Sequence, residues 1–213
     1  MKKIIFILCL IFFAGICFAS LPYSMKKADA SGKNATLVVT YPVFIGNSEL
    51  IKTANRGIYE TVREDIERNR TFIEEFGDGE GFINTAYATV VRADEKIISV
   101  VWNGDWMAGG VHNDMVFTAT YGMVNGKAKK LTVNDMGDPK VFAQKIYNAY
   151  LEKEMKLQQL EEGLFSPQAI LEEEGQQLLN SFTVSDKFIT FYRQEYEFGY
   201  GYEGADFVKI LLK

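Results

Sequence analysis

Hydrophobic residues change their spacing several times along this chain, and each change predicts an element. From Thr36 the run TLVVTYPVF is β-rich and closes on Pro42 and Gly46. Pro42 predicts an edge position or a strand end, because proline donates nothing to a ladder. Leu50, Ala54, Ile58, Val62 and Ile66 then recur at every fourth position, the mark of a helix with one buried stripe over about residues 49 to 76. Asn47 or Ser48 can cap its start. Its other face carries Glu60, Arg63, Glu64, Glu67 and Arg68 and reads as a solvated surface.

Asp78-Gly79-Glu80-Gly81 ends that unit, and a β-meander follows. Its strands are predicted near Phe82–Arg92, Lys96–Trp106, Asp114–Val124 and Lys127–Thr132. Asn125-Gly126 between the last two is a hairpin signal, since both central positions of a type I′ turn need positive φ. Asp138-Pro139 opens a second helix, with Phe142, Ile146 and Tyr150 on its buried face. Ser166-Pro167 repeats that start for a third helix through about Leu179, and β segments near Lys187–Arg193 and Ala205–Leu212 finish the chain. The expected fold is α+β: antiparallel sheet with about three helices, one compact domain of two subdomains.

The first nineteen residues read differently. Lys2 and Lys3 precede an uncharged apolar run from Ile4 to Ala19, with Cys17 and Ala19 as small residues at a cleavage site. The run falls short of the ~20 residues that span a bilayer comfortably. A signal peptide over residues 1–19 is expected, hence export, with no membrane span left after cleavage. Ala28-Asp29-Ala30 offers a second cleavage site, and lipidation at Cys17 is disfavoured by the bulky Ile16 before it. Residues 20–34 are polar and aperiodic and read as a flexible tether, leaving 35–213 as the folded domain.

Cys9 and Cys17 both lie in the apolar leader, so the mature chain holds no thiol for nucleophilic, redox or metal chemistry. Formal charge is −5 without a strong basic cluster, which argues against nucleic acid as the partner. His112 is the single histidine, which excludes two-histidine zinc motifs. There is no G-x-S-x-G elbow and no P-loop. A Ser99–His112–Asp105 or Asp114 triad can be drawn on paper, as can carboxylate pairs, but nothing in the spacing requires either. No cofactor and no metal are expected.

Two segments stand out as candidate binding sites. Gly109-Gly110-Val111-His112 places a histidine after two glycines. One reading makes His112 a ligand contact or pH-sensitive hinge, since histidine changes charge near neutrality. The other makes it part of a bulge or wide turn, bonded to nearby backbone. Near the end, EYEFGYGYEG concentrates Tyr196, Tyr200 and Tyr202, residues favoured at recognition surfaces for rigid area with a polar tip. Packing over a sheet end is the equal alternative.

The order Y-P-x-F-x-G (Tyr41–Gly46), long helix, G-G-x-H (Gly109–His112), Gly126-Lys127 before LTVNDM, and YEFGYGYEG (Tyr196–Gly204) carries a resemblance. It is similar to the extracytoplasmic domain shared by RsiV-type anti-sigma factors, which are lysozyme receptors, and PdaC-type peptidoglycan deacetylases. Val111 departs from the alanine usual there. The resemblance spans about residues 36 to 213 and implies binding or sensing in the cell envelope, of a protein such as lysozyme or a peptidoglycan fragment. It transfers no catalytic residue, because the matching parts are not the catalytic ones. An envelope assembly component and a cell-wall hydrolase are the alternatives.

Overall fold

A computed structural model describes residues 20–76, 81–154, 165–172, 175–193 and 206–212 of the chain. The α+β expectation holds. Six strands form a curled mixed sheet: β1 (Tyr23–Asp29), β2 (Ala35–Phe44), β3 (Phe82–Ala93), β4 (Ile97–Ala108), β5 (Val111–Val124) and β6 (Lys127–Lys130), in that spatial order. A smaller sheet holds β7 (Phe182–Val184), β8 (Phe188–Arg193) and β9 (Asp206–Leu211). The helices are α1 (Glu49–Phe76), α2 (Val133–Met136), α3 (Pro139–Glu154), α4 (Pro167–Leu171) and α5 (Gln176–Asn180). The meander from β3 to β6 falls within a few residues of its predicted bounds.

Two differences matter at the N-terminal side. Residues 20–34 do not form a free tether: Tyr23 to Asp29 pair with Phe44 to Val38 as an antiparallel edge strand. Six of the seven residues of β1 are exposed, so the strand shows no alternation for a sequence reading to detect. The sheet is also not wholly antiparallel, because β2 and β3 run parallel from Ala35↔Phe82 to Val39↔Ala86. The long helix α1 is the crossover that a parallel pair needs. Pro42 is thus inside the sheet. Ile45 N–H points to β1, donating to Pro22 O, whereas Phe44 N–H points away and donates to Asn55 Oδ1. Alternation puts the Pro42 nitrogen on the side away from β1, past Val39 where the β3 ladder has ended, so no ladder bond is lost.

Two cores occupy opposite faces of β4 and β5. On one face α1 lays Leu50, Ala54, Ile58 and Val62 against Val39, Ile98, Val100, Trp102 and Tyr121. Ser48 Oγ accepts from Ile51 N–H at 3.2 Å to start this helix, as its sequence suggests. Trp102 stacks on Phe117 at 4.9 Å, and its indole N–H donates to Thr40 O at 2.7 Å. The other core joins α3, α4 and α5 to the small sheet through Ile146, Tyr150, Ile170, Leu179, Phe182 and Phe191.

A buried relay ties the small sheet to the large one. The Thr120 hydroxyl donates to Phe182 O at 2.9 Å, so Ser99 Oγ must donate to Thr120 Oγ1 at 2.8 Å. The same Ser99 oxygen accepts from Val184 N–H at 2.9 Å. Arg92 adds a link, reaching Asp94 at 2.6 Å and Asp186 at 3.7 Å. The third predicted helix divides into α4 and α5. At Gly175 the backbone comes so close to Ala169 and Ile170 that a Cβ would stand 2.4 Å from their atoms, so the chain turns back on itself there. No described helix is long and apolar enough to cross a membrane.

Candidate functional site

The Gly109-Gly110 pair makes a tight two-residue turn rather than a bulge or wide turn. Both glycines have positive φ, +57° and +78°, and Ala108 pairs directly with Val111. Glycine takes that pair of conformations at no steric cost, and among other residues chiefly asparagine and aspartate tolerate the first of them. The turn fixes the register of β4 with β5: Met107↔His112, Asp105↔Asp114 and Asn103↔Val116. Opposed residues share a face, so these six side chains form one strip running down the hairpin.

His112 sits near the tip of that strip, on the strand's solvent side. Its Nε2 lies 3.0 Å from Asp105 Oδ1, a diagonal contact between half-exposed side chains. Asp105, His112 and Asp114 each offer a ligand atom, and these lie within 4.8 Å of one another. One imidazole with two carboxylates is a donor set suited to a divalent cation of borderline hardness. Placing two carboxylates directly across from each other is unfavourable on its own, since like charges opposed in a ladder repel.

Ser99 does not join them. It is fully buried beneath the small sheet and committed to Thr120 and Val184. Along β4 it stands eight residues from Met107, the partner of His112, a separation of roughly 25 Å at strand rise. The paper triad is therefore not assembled.

Lower on the same strip, Asn103 and Val116 meet the small sheet and enclose a pocket of about 250 Å³ with Thr190, Tyr192, Asp206, Phe207 and Lys209. Phe207 is 48% exposed there, with its ring 6.1 Å from that of Tyr192 and Lys209 Nζ 5.3 Å above it. Burial pushes the Tyr192 phenol upward, partly offset by the hydroxyl of Thr183 at 3.1 Å. Tyr192 is thus a neutral hydrogen-bonding group at the pocket wall.

Tyr196, Tyr200 and Tyr202 lie outside the described residues. The residues flanking that segment, Arg193 and Asp206, pair with each other at the end of the small sheet, beside the pocket. Gly109, Gly110 and His112 are brought together with Asp105 and Asp114; the pocket residues Asn103, Tyr192 and Phe207 carried no signal as a group. The register could have been counted from the Gly-Gly turn, which sets Asp105 opposite Asp114.

No protein-family profile matches the chain, and neither does any curated protein. Solved structures do. A DUF3298 family protein from Pseudomonas aeruginosa PAO1 superposes with a TM-score of 0.61 at 13% identity, covering 91% of this chain and 92% of that one. A member of the same family from Bacteroides fragilis NCTC 9343 superposes with a TM-score of 0.56 at 10% identity, covering 90% and 91%. The fold is that of these DUF3298 proteins along nearly the whole chain.

Proposed function

We propose that the chain is an exported, non-catalytic binding module of the cell envelope, and that its β4–β5 strip with the Phe207 pocket recognises a basic protein of the lysozyme kind. The carrying observation is the continuity of that surface. Asp105 and Asp114 lie opposed on one face, and Asn103 and Val116 continue it to the exposed ring of Phe207. Asp105 and Asp114 on the strip, with Asp206 beside Lys209 at the pocket, suit a partner whose contact patch is mainly cationic, the charges steering encounter and the Phe207 ring supplying contact area. The formal charge of −5 supports the same sign of partner. The motif order resembling lysozyme-receptor domains is consistent with this reading.

The test is calorimetric titration of residues 20–213 with lysozyme, alongside soluble cell-wall fragments. Saturable lysozyme binding is expected, weakened about tenfold or more by Asp105→Asn with Asp114→Asn, and weakened also by salt. Binding of the wall fragments alone would replace this reading with a glycan-recognition module. Silence towards both ligands would overturn it.

A further inference from the structure

On the opposite face of the sheet, a groove of about 420 Å³ runs between α1 and β6. That volume falls within the ~300–1,000 Å³ range of small-ligand clefts. Its floor holds an anomaly. Tyr121 is only 2% exposed, and among the described residues its hydroxyl has no partner in hydrogen-bonding geometry. Thr61 Oγ1 is its polar neighbour, but it donates to Gly57 O at 2.9 Å and does not stand in bonding geometry to the phenol. Orphaned buried hydroxyls are costly and rare, so each calls for an explanation. Gly57 supplies part of it: a Cβ there would sit 2.3 Å from the Tyr121 oxygen. The missing side chain leaves the room that the hydroxyl occupies in the helix wall, and Tyr121 lines the groove from there.

The walls are charged in an ordered way. Arg56, Glu60 and Glu64 follow one another along the helix side, and Lys130 stands opposite as the direct register partner of Tyr121. Lys129 is held apart by Asp135 at 2.8 Å. Burial, with the charge of Glu60 added, holds the Tyr121 phenol protonated up to about 12, so it is a standing donor.

We propose that this groove binds a short peptide as its zwitterion, the carboxylate taken by Tyr121 between Arg56 and Lys130, and the ammonium by Glu60 and Glu64. Lengths agree. Arg56 and Glu60 are four residues apart, roughly 6 Å along the helix axis, and an extended dipeptide spans roughly 7 Å between its ends. The proposal does not depend on the lysozyme reading, which uses the other face.

The experiment is amide-shift NMR titration of residues 20–213 with alanyl-alanine, its N-acetylated form and its C-terminal amide. Expected are saturable shifts on α1 and β6 at millimolar dipeptide, and weakening of about tenfold in Tyr121→Phe, as for loss of a hydrogen bond to a charged group. Either capped form should bind more weakly than the free dipeptide. Tyr121→Phe keeps the buried ring, and an amide spectrum unchanged away from α1 and β6 would confirm an intact fold. Absent shifts with the free dipeptide, or equal affinity in Tyr121→Phe, would overturn the proposal, as would equal binding of the capped forms.

Discussion

Gly57 is an interior residue, the ninth of a 28-residue helix, where alanine ordinarily stabilises by about 0.8–1.0 kcal/mol. At this position the sign should reverse. A new Cβ meets the Tyr121 oxygen at 2.3 Å and two ring carbons at 2.9 Å, distances at which something must shift. The ring cannot retreat, because Tyr121 is packed among Ile58, Val100 and Ala119 in the α1-side core. Overpacking of this kind costs about 1–3 kcal/mol. Setting that against the helical gain, Gly57→Ala should leave the protein no more stable and destabilise it by up to about 2 kcal/mol. Tyr121→Phe alone should be close to neutral, since it removes an unpartnered hydroxyl. In the Tyr121→Phe background the worst contact is gone, and the cost of Gly57→Ala should fall by about 1 kcal/mol or more. Urea unfolding followed by circular dichroism on all four proteins of the cycle measures this directly. Stabilisation by Gly57→Ala in the unmodified protein, or a coupling near zero, would refute the close-approach argument.

Two further outcomes concern buried polar groups. Ser99→Ala should cost about 1–3 kcal/mol in the same unfolding assay, because it strands the Val184 N–H between the sheets; a loss under ~0.5 kcal/mol would deny the relay its role. Burial raises the Asp65 carboxyl, against hydrogen bonds from Asn84 and Asn69 and the charge of Arg68. The folded state therefore holds this proton to higher pH than the unfolded chain does. Its contribution is fully present below the unfolded value of about 3.9 and is lost as pH rises through the raised folded one. Asp65→Asn should gain stability relative to the unmodified protein as pH climbs from about 4 towards neutrality, and parallel profiles would contradict the assignment.

What the sequence disclosed follows from which signals are local. The every-fourth stripe of α1, the Asn125-Gly126 turn with φ of 51° and 77°, and the Asp138-Pro139 start all depend on near neighbours. The Asp138 Oδ1 contact to Lys140 N–H at 2.9 Å confirms the last of these. The edge strand β1 was hidden because six of its seven residues are exposed, which leaves no hydrophobic alternation to mark it. The parallel β2–β3 pair depends on a contact across the whole of α1, which no spacing encodes. At the candidate site His112 and its glycines were visible as a motif. The Phe207 pocket was not, since its walls come from strands about ninety residues apart, brought together where the two sheets are tied by the Ser99–Thr120 relay and Arg92. Tyr121 looked like an ordinary aromatic in a strand; its missing partner is visible only in three dimensions.

The pairing of Leu21 N–H with Ala93 O at 2.9 Å sets an orientation for the whole body. That contact lies beside the β3–β4 turn, whereas the Gly-Gly tip is at the far end of β4, roughly 35–40 Å along the strand. The described chain therefore begins at one end of the large sheet and carries Asp105, His112 and Asp114 at the other. Separation between the two ends is fixed by paired strand, because residues 23–29 are themselves bonded to β2.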